Sequence, residues 1–249
     1  MTMHPTLQRD FAEGRALKII TGLTNFERDR VAITVKAAER GGATFVDIAA
    51  DPKLVKLAKD LTNLPVCVSA VEPEKFLPCV EAGADLIEIG NFDAFYAMGR
   101  RFEAAEVLQL TRETRSLLPD ITLSVTVPHI LELDEQVQLA EELVKAGADI
   151  IQTEGGTSST PVHPGTLGLI EKATPTLAAA YEISRAVDLP VLCASGISSV
   201  TAPMAIAAGA AGVGVGSAIN RLDSEIAAIA GVRSLVEALT TVRRSPVRT

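Results

Sequence analysis

Apolar and polar positions divide the chain into two alternating kinds of segment. Short runs rich in Val, Ile and Leu indicate strands, and between them lie longer stretches with apolar residues at helical spacing. Four apolar runs each follow a glycine that ends a helix-like stretch: Gly42, Gly83, Gly147 and Gly209. Three others open on a Leu-Pro pair, at Leu64, Leu118 and Leu189. With ALKIITGL from Ala16, the pattern predicts eight strands, separated by helix-like stretches such as 28–40, 100–117, 134–146 and 223–239.

The glycine and the Leu-Pro pair, the two signals that stop a helix-like stretch before a strand, each have a physical cause. Glycine adopts the left-handed conformation that ends many helices, whereas proline ends a helix and is tolerated at the first residue of a strand. Because the glycine stop recurs at the even strands, the pattern indicates a doubled βαβα unit.

Continuous apolar strands between amphipathic helices predict a parallel sheet covered by helices. The length of 249 residues suits an α/β barrel that folds as one domain over residues 1–249. The alternative is an open doubly wound sheet, but eight evenly repeated units favour closure. We therefore predict the α/β class and a single (β/α)8 TIM barrel with eight parallel strands.

Charge and cysteine usage narrow the function classes. A net charge of −8 argues against nucleic-acid binding, which depends on basic surfaces. The cysteines have no metal-ligand spacing, and the three histidines form no ligand motif, so we predict no metal site. We expect no membrane association, because the N-terminus lacks the apolar core of a signal peptide and no apolar run is long enough to cross a bilayer.

The turns after strands 7 and 8 carry the strongest binding signal. In a TIM barrel the C-terminal strand ends carry function, and the last two strands frequently build a phosphate site. Glycines there also serve tight turns and close packing, but their occurrence at both strands predicts a small phosphorylated ligand. The predicted phosphate-binding residues are Gly196, Ile197, Ser198, Gly214, Gly216 and Ser217.

Several strands carry polar residues that an apolar barrel interior does not require. Lys18, Asp47, Glu88 and Gln152 fall in strands 1, 2, 4 and 6. Buried charges are paired or functional. Lys18 with Asp47 and Glu88 therefore predicts either a Schiff-base or general-base amine with a lowered pKa, or a structural ion pair near the lower end of the barrel.

Glu154 ends strand 6 and is our first candidate for acid/base chemistry. The alternative is that its carboxylate ties the following loop to backbone N–H groups. Residues 155–175 form the longest irregular stretch and predict a lid loop. Its first residues, Gly155, Gly156, Thr157 and Ser158, are predicted to contact substrate together with Gln152.

Polar residues after other strands complete the candidate site. His129 follows strand 5 and His163 lies in the predicted lid, so both are candidates to reach the barrel mouth. Asn25 follows strand 1 and Asn91 follows strand 4. Each is predicted either to bond a sugar hydroxyl of the substrate or to cap the next helix.

The quoted motifs resemble known proteins. PVLCASGI followed by AAGAAGVGVGSAI is similar to the strand 7 and strand 8 signature of phosphate-binding TIM barrels, which include ribulose-phosphate, tryptophan-synthesis, thiazole-synthesis and flavin-dependent enzymes. LKIITGLTNF, FVDIAADP and QTEGGTSS resemble a hypothetical reading-frame family of cyanobacteria and algal plastids. The resemblance implies a barrel located in the cyanobacterial cytoplasm or the plastid stroma, and it assigns no catalytic residue.

Three functions follow as hypotheses. The first is an isomerase or lyase that acts on a small phosphorylated metabolite by acid/base chemistry without a cofactor. The second is an oxidoreductase whose FMN phosphate is held by the same glycines, and the third is a non-catalytic phosphometabolite sensor. Alanine-rich helices, such as those with Ala178–Ala180 and Ala227–Ala228, further predict a homodimer.

Overall fold

The computed structural model describes residues 3–96, 98–156 and 159–241. Eight parallel strands close into a barrel in chain order, with β1 paired to β8. The strands are β1 Ala16–Ile20, β2 Phe45–Ala49, β3 Val66–Ala70, β4 Leu86–Ile89, β5 Thr122–Thr126, β6 Ile150–Thr153, β7 Val191–Ala194 and β8 Gly212–Val215. The TIM-barrel prediction is confirmed, and the open sheet is excluded because β8 hydrogen-bonds to both β7 and β1.

Helices cover the outside of the barrel. They are α1 Pro5–Ala12, α2 Arg28–Gly41, α3 Pro52–Leu61, α4 Phe76–Glu81, α5 Asp93–Tyr96, α6 Ala104–Leu117, α7 Leu133–Lys145, α8 Gly165–Ala186, α9 Ala202–Ala207, α10 Ser217–Asn220 and α11 Glu225–Thr240, with a short 3₁₀ turn over Pro73–Lys75. The glycine stops are confirmed: all four have positive φ, and Gly42, at 87°, is the left-handed cap of α2. None of the described helices has the length and apolar character of a membrane span.

The irregular stretch predicted over 155–175 is shorter than expected. Helix α8 begins at Gly165 and contains Pro175. Although proline removes a backbone donor, helical residues on both sides of it, including Ala173, Thr176 and Ala180, are buried against the barrel and keep the helix packed. Thr157 and Ser158, two of the predicted substrate contacts, lie outside the described residues.

The lower end of the barrel is closed by an apolar layer. Helix α1 covers it, and the ring of Phe11 meets that of Phe45 edge-on at 6.2 Å between centroids. The layer combines side chains from α1, from the strands and from the turn before β8: Leu7, Phe11, Ala16, Phe45, Cys67, Leu86, Ile150, Leu192 and Ala211. Solvent therefore reaches the barrel interior from its C-terminal end.

The basis of the homodimer prediction needs correction. Ala179, Ala180 and Ala228 are buried inside the fold, and only Ala178 is exposed among the alanines of the α8 stretch. Small side chains at these positions allow α8 and α11 to pack closely on the barrel. They therefore do not form an alanine surface for a second subunit, and the homodimer stays a prediction.

Candidate functional site

A polar layer lies directly above the apolar one. The ammonium of Lys18 is fully buried, 2.6 Å from Glu88 Oε2 and 3.8 Å from Asp47 Oδ2. Ser124 Oγ donates to the same Glu88 oxygen at 2.7 Å, and Ser69 Oγ donates to Asp47 Oδ1 at 2.5 Å. The predicted interior charges thus meet as a paired cluster, one layer above the apolar layer that closes the barrel's lower end.

The electrostatics of this cluster contradict a lowered lysine pKa. Burial by itself lowers the pKa of Lys18, but the negative charges of Asp47 and Glu88 outweigh burial and raise it above its ordinary value. Lys18 is therefore an ammonium, which favours the ion-pair alternative over the amine with a lowered pKa. Burial also raises the pKa of Asp47 to about 6, in spite of the opposing attraction of Lys18.

A cavity of about 590 Å³ opens above the polar layer at the C-terminal end of the barrel. It brings together predicted residues from four strand ends: Asn91, Gln152, Glu154, Gly196, Ile197, Gly216 and Ser217. Three cationic side chains also line it, namely Arg30 of α2, Lys172 of α8 and Arg221 after α10. The mouth of the barrel therefore combines anion-binding groups with carboxylates in one cavity.

Two of the predicted phosphate-binding residues do not line this cavity. Gly214 lies inside the barrel, where a Cβ atom would stand 2.8 Å from Ala194 Cβ and 3.2 Å from Ile20 Cδ1. The backbone N–H of Ser198 donates to Thr201 Oγ1 at 2.9 Å, and its hydroxyl lies 3.2 Å from the same atom. Gly214 thus serves close packing, and Ser198 serves the turn that leads into α9.

The predicted contacts Gly155 and Gly156 hold loops together instead of lining the cavity. A Cβ on Gly156 would lie 2.5 Å from the N and Cα atoms of Gly196, so the loops after β6 and β7 touch backbone to backbone. Gly155 has a φ of 135°, and a Cβ there would lie 2.9 Å from Pro175 Cβ. Only glycine permits this close approach.

Asn25 and His163 lie away from the main cavity. The side chain of Asn25 donates to the Thr21 carbonyl at 3.3 Å and accepts from the Glu27 N–H at 3.1 Å, so it shapes the turn before α2. It lines a separate cavity of about 240 Å³. His163 Nδ1 lies 2.5 Å from Glu171 Oε1 on the exposed face of α8, where it ties the preceding loop to that helix.

Glu154 is buried and joins three loops. Its Oε1 accepts from the Tyr96 hydroxyl at 2.6 Å and from the backbone N–H of His129 at 3.2 Å, while Oε2 accepts from the Asp93 N–H at 3.2 Å. Glu154 therefore connects the loops through backbone N–H groups, which was one of its two predicted roles. It also lines the cavity.

His129 lies between two carboxylates. Its Nδ1 is 3.2 Å from Glu154 Oε1 and 3.3 Å from Asp93 Oδ1, and Asp93 Oδ2 accepts from the Ser195 hydroxyl at 2.7 Å. Burial lowers the pKa of His129, but the hydrogen bond and charge of Glu154, aided by Asp93, raise it above its ordinary value. Burial raises the pKa of Glu154. The imidazole of His129 thus lies within hydrogen-bond distance of both carboxylates.

The ligand atoms of Asp93, His129 and Glu154 lie within 4.8 Å of one another, a spacing that a divalent cation can bridge. The carboxylate oxygens of Glu154 are already engaged, because they accept hydrogen bonds from three N–H or O–H donors in addition to the imidazole contact. The donor set therefore fits a hydrogen-bonded cluster better than a metal centre.

Sequence reasoning missed Asp93, Tyr96, Ser195, Lys172 and Arg221. Asp93 carried a usable signal, because it stands two residues after Asn91, just beyond β4. Ser195 likewise separates β7 from Gly196 and has an unusual φ of 69°. Lys172 and Arg221 carried none, since their places depend on how α8 and the α10 turn pack over the barrel.

Solved structures share the architecture. The chain is similar to a thiamine phosphate pyrophosphorylase from Pyrococcus furiosus, with 19% identity, a TM-score of 0.60 and coverage of 92% of this chain and 97% of that one. It is also similar to a 3-hexulose-6-phosphate synthase, with 16% identity, a TM-score of 0.64 and coverage of 90% and 99%. At these identities the similarity shows the fold.

Sequence relatives are much closer. The uncharacterized protein ycf23 of Porphyra purpurea is 43% identical over 222 residues, which is 89% of this chain and 84% of that protein. The ycf23 protein of Cyanophora paradoxa is 44% identical over 223 residues, or 89% and 91%. The family model described as "Protein of unknown function (DUF561)" matches residues 3–245. The chain therefore belongs to the DUF561 family, together with the ycf23 proteins.

Proposed function

We propose that this protein is an enzyme that binds a small phosphorylated metabolite in the 590 Å³ cavity and moves a proton on it, as an isomerase or a lyase. One observation carries the proposal: cationic side chains and the turns after β7 and β8 share a cavity with Asp93 and Glu154, the two carboxylates that contact His129. The structural neighbours named above carry phosphorylated compounds in their names, which supports the same class of ligand.

The phosphate would lie against the turns after β7 and β8. The backbones of Gly196 and Gly216 line the cavity, and Ser217 begins α10, where the first N–H groups have no acceptor within the helix. Lys172 and Arg221 line the same region, and neither forms an ion pair with a carboxylate within the described residues. They are thus available to neutralise a phosphate.

The proton transfer would use Asp93, which lines the cavity. His129 has a raised pKa and touches Asp93, so it can return a proton to that carboxylate or stabilise its charge. Glu154 keeps His129 in place through two contacts to that residue. In this proposal Asp93 touches substrate, and His129 and Glu154 are positioning residues that hold the cluster in place.

Ligand binding is tested by a thermal-shift screen of sugar phosphates, pyridine and pyrimidine phosphates and FMN. We expect a phosphorylated hit that Ser217→Asp abolishes, because the new carboxylate repels the phosphate. Ser234→Asp, on the exposed face of α11, is the matched control and should keep the hit. A hit that survives Ser217→Asp would show that the phosphate lies elsewhere. A yellow protein with FMN as the hit would favour the oxidoreductase instead.

Catalysis is tested on the hit in deuterated water by proton NMR. The wild type should exchange a carbon-bound proton of the ligand for deuterium, and Asp93→Asn should lose this exchange while it still binds the ligand. Binding without any exchange or turnover by the wild type would contradict the enzyme proposal and leave the sensor. The family relationship supports a site of action in the cyanobacterial cytoplasm or plastid stroma.

A further inference from the structure

The buried Lys18 determines which hydrogen-bonding groups the floor of the cavity presents to a ligand. Lys18 Nζ lies 3.1 Å from Gln152 Oε1, and because an ammonium only donates, this amide oxygen must face it. The Gln152 nitrogen then donates one proton to Glu88 Oε1 at 2.8 Å and the other to Thr126 Oγ1 at 3.0 Å. Both amide protons are used. Gln152, which lines the cavity, has only acceptor capacity left for a ligand.

The positive charge of Lys18 does not reach the cavity. Two carboxylates, Glu88 at 2.6 Å and Asp47 at 3.8 Å, face it within the layer below. Every side chain of this cluster is fully buried. The floor therefore attracts hydrogen-bond donors, and a negatively charged group gains nothing there.

The side of the cavity that is formed by residues after β4 and β6 also presents hydrogen-bond acceptors. Asn91 donates one amide proton to Glu88 Oε1 at 3.1 Å, which leaves its amide oxygen and its second amide proton for the cavity. Asp93 and Glu154 also line this side, and both are acceptors when ionised. The cationic side chains Arg30, Lys172 and Arg221 come instead from α2, α8 and the turn after α10.

The lining disfavours two kinds of phosphorylated ligand. A second carboxylate would meet Asp93 and Glu154, whose like charges repel it. A flat heteroaromatic ring would find no aromatic side chain to stack on, because no Phe, Tyr or His side chain lines the cavity among the described residues. Hydroxyl groups, by contrast, can donate to the acceptors of the floor.

We propose that the ligand is a phosphorylated polyol or sugar, whose phosphate lies at the cationic side and whose hydroxyl groups donate to Gln152, Asn91 and Asp93. This inference rests on the proposed phosphate site and names the substrate class for it. Lys18 acts in it as a specificity-positioning residue, because it sets the orientation of the Gln152 amide without touching the ligand.

The first test compares three probes with the wild type by titration calorimetry at fixed ionic strength: ribitol phosphate, pentyl phosphate and pentanoate phosphorylated at its far end. We expect ribitol phosphate to bind about tenfold more tightly than pentyl phosphate, the factor that two net hydrogen bonds supply. The carboxylate probe should bind more weakly than pentyl phosphate.

The outcomes separate this inference from the proposed function. If pentyl phosphate binds as tightly as ribitol phosphate, the polyol inference is overturned and the phosphate site stands. If the carboxylate probe binds most tightly, the assignment of the acceptor side is wrong. If neither inorganic phosphate nor any of the three probes binds, the proposed function itself fails.

The second test uses variants. Gln152→Met keeps the volume but removes the acceptor, and Glu88 keeps its bonds from Lys18, Ser124 and Asn91. The affinity ratio of ribitol phosphate to pentyl phosphate should fall from about ten to about three, because one of the two net hydrogen bonds is lost. Asn91→Gly should also lower the ratio and suits the local backbone, whose φ is 61°.

The matched control is Asn63→Gly, at an exposed turn before β3, which should leave the ratio unchanged. Circular dichroism melts establish that each variant is folded, and the Asn91 and Gln152 variants test the inference independently. A ratio that stays near ten in both would overturn it.

Discussion

Replacement of Lys18 by methionine removes the cation from a fully buried cluster. Its ammonium makes hydrogen bonds of 2.6 Å to Glu88 and 3.1 Å to Gln152, with Asp47 at 3.8 Å. Removing one partner of a buried ion pair costs about 3–5 kcal/mol, because the remaining charge stays in a medium of low dielectric. A folded domain has only about 5–15 kcal/mol of stability, so Lys18→Met should lose a large fraction of it.

The loss should depend on pH. Burial raises the pKa of Asp47 to about 6 from an ordinary 3.8 even with the lysine present, and without it the pKa rises further. A carboxyl with a raised pKa binds more protons in the native state, so stability is lost as pH rises from about 4 through that pKa. The destabilisation by Lys18→Met should therefore be larger at pH 8 than at pH 5.

Urea unfolding followed by circular dichroism measures the effect. With a slope of ~3 kcal/mol per M, a loss of ~4 kcal/mol lowers the midpoint by about 1 M. The double variant Lys18→Met with Glu88→Leu should regain part of the loss, because it removes the orphaned charge. A midpoint shift under ~0.3 M, or the same shift at both pH values, would refute the reasoning.

Two further predictions concern the loops around the cavity. Glu154→Gln should lower the pKa of His129, because the carboxylate's hydrogen bond and charge raise it, and an NMR titration of the imidazole measures this; an unchanged pKa would contradict the cluster. Gly156→Ala should cost about 3 kcal/mol, the upper end for overpacking, because the new Cβ would lie 2.5 Å from the Gly196 backbone, which cannot move aside as a flexible side chain can. Its control, Gly99→Ala, meets no atom within 4 Å and should cost only the ~1–2 kcal/mol of a left-handed conformation, and equal urea midpoints would speak against the steric argument.

The sequence was sufficient for the fold because each element carries its own signal. Glycines with positive φ end helices before the even strands, and the apolar runs match the observed strands. The interior charges were also visible, since a lysine or carboxylate within an apolar strand is conspicuous. Their pairing was predicted as one alternative, but the sequence did not decide the sign of the Lys18 pKa shift, which depends on distances to Asp47 and Glu88.

The candidate site was harder to predict, because its residues meet only through tertiary packing. Asp93 and Ser195 are 102 residues apart and share a hydrogen bond across the barrel mouth. The glycines at 155 and 156 looked like a mobile ligand-binding loop, whereas Gly156 is fixed by contact with Gly196. Local composition does not distinguish a glycine that gives freedom from one that permits close packing.

Closure of the barrel between its first and last strands has a consequence for how the chain folds during synthesis. Lys18 leaves the ribosome early, but Glu88 follows 70 residues later and Gln152 134 residues later. Strand β8, which pairs with β1, is synthesised later still. Contacts of such sequence separation form slowly, so the nascent chain must keep the lysine hydrated until its partners arrive. The Lys18 ammonium, which is paired in the folded barrel, thus also opposes premature collapse of the first strands, because burial of an unpaired charge is costly.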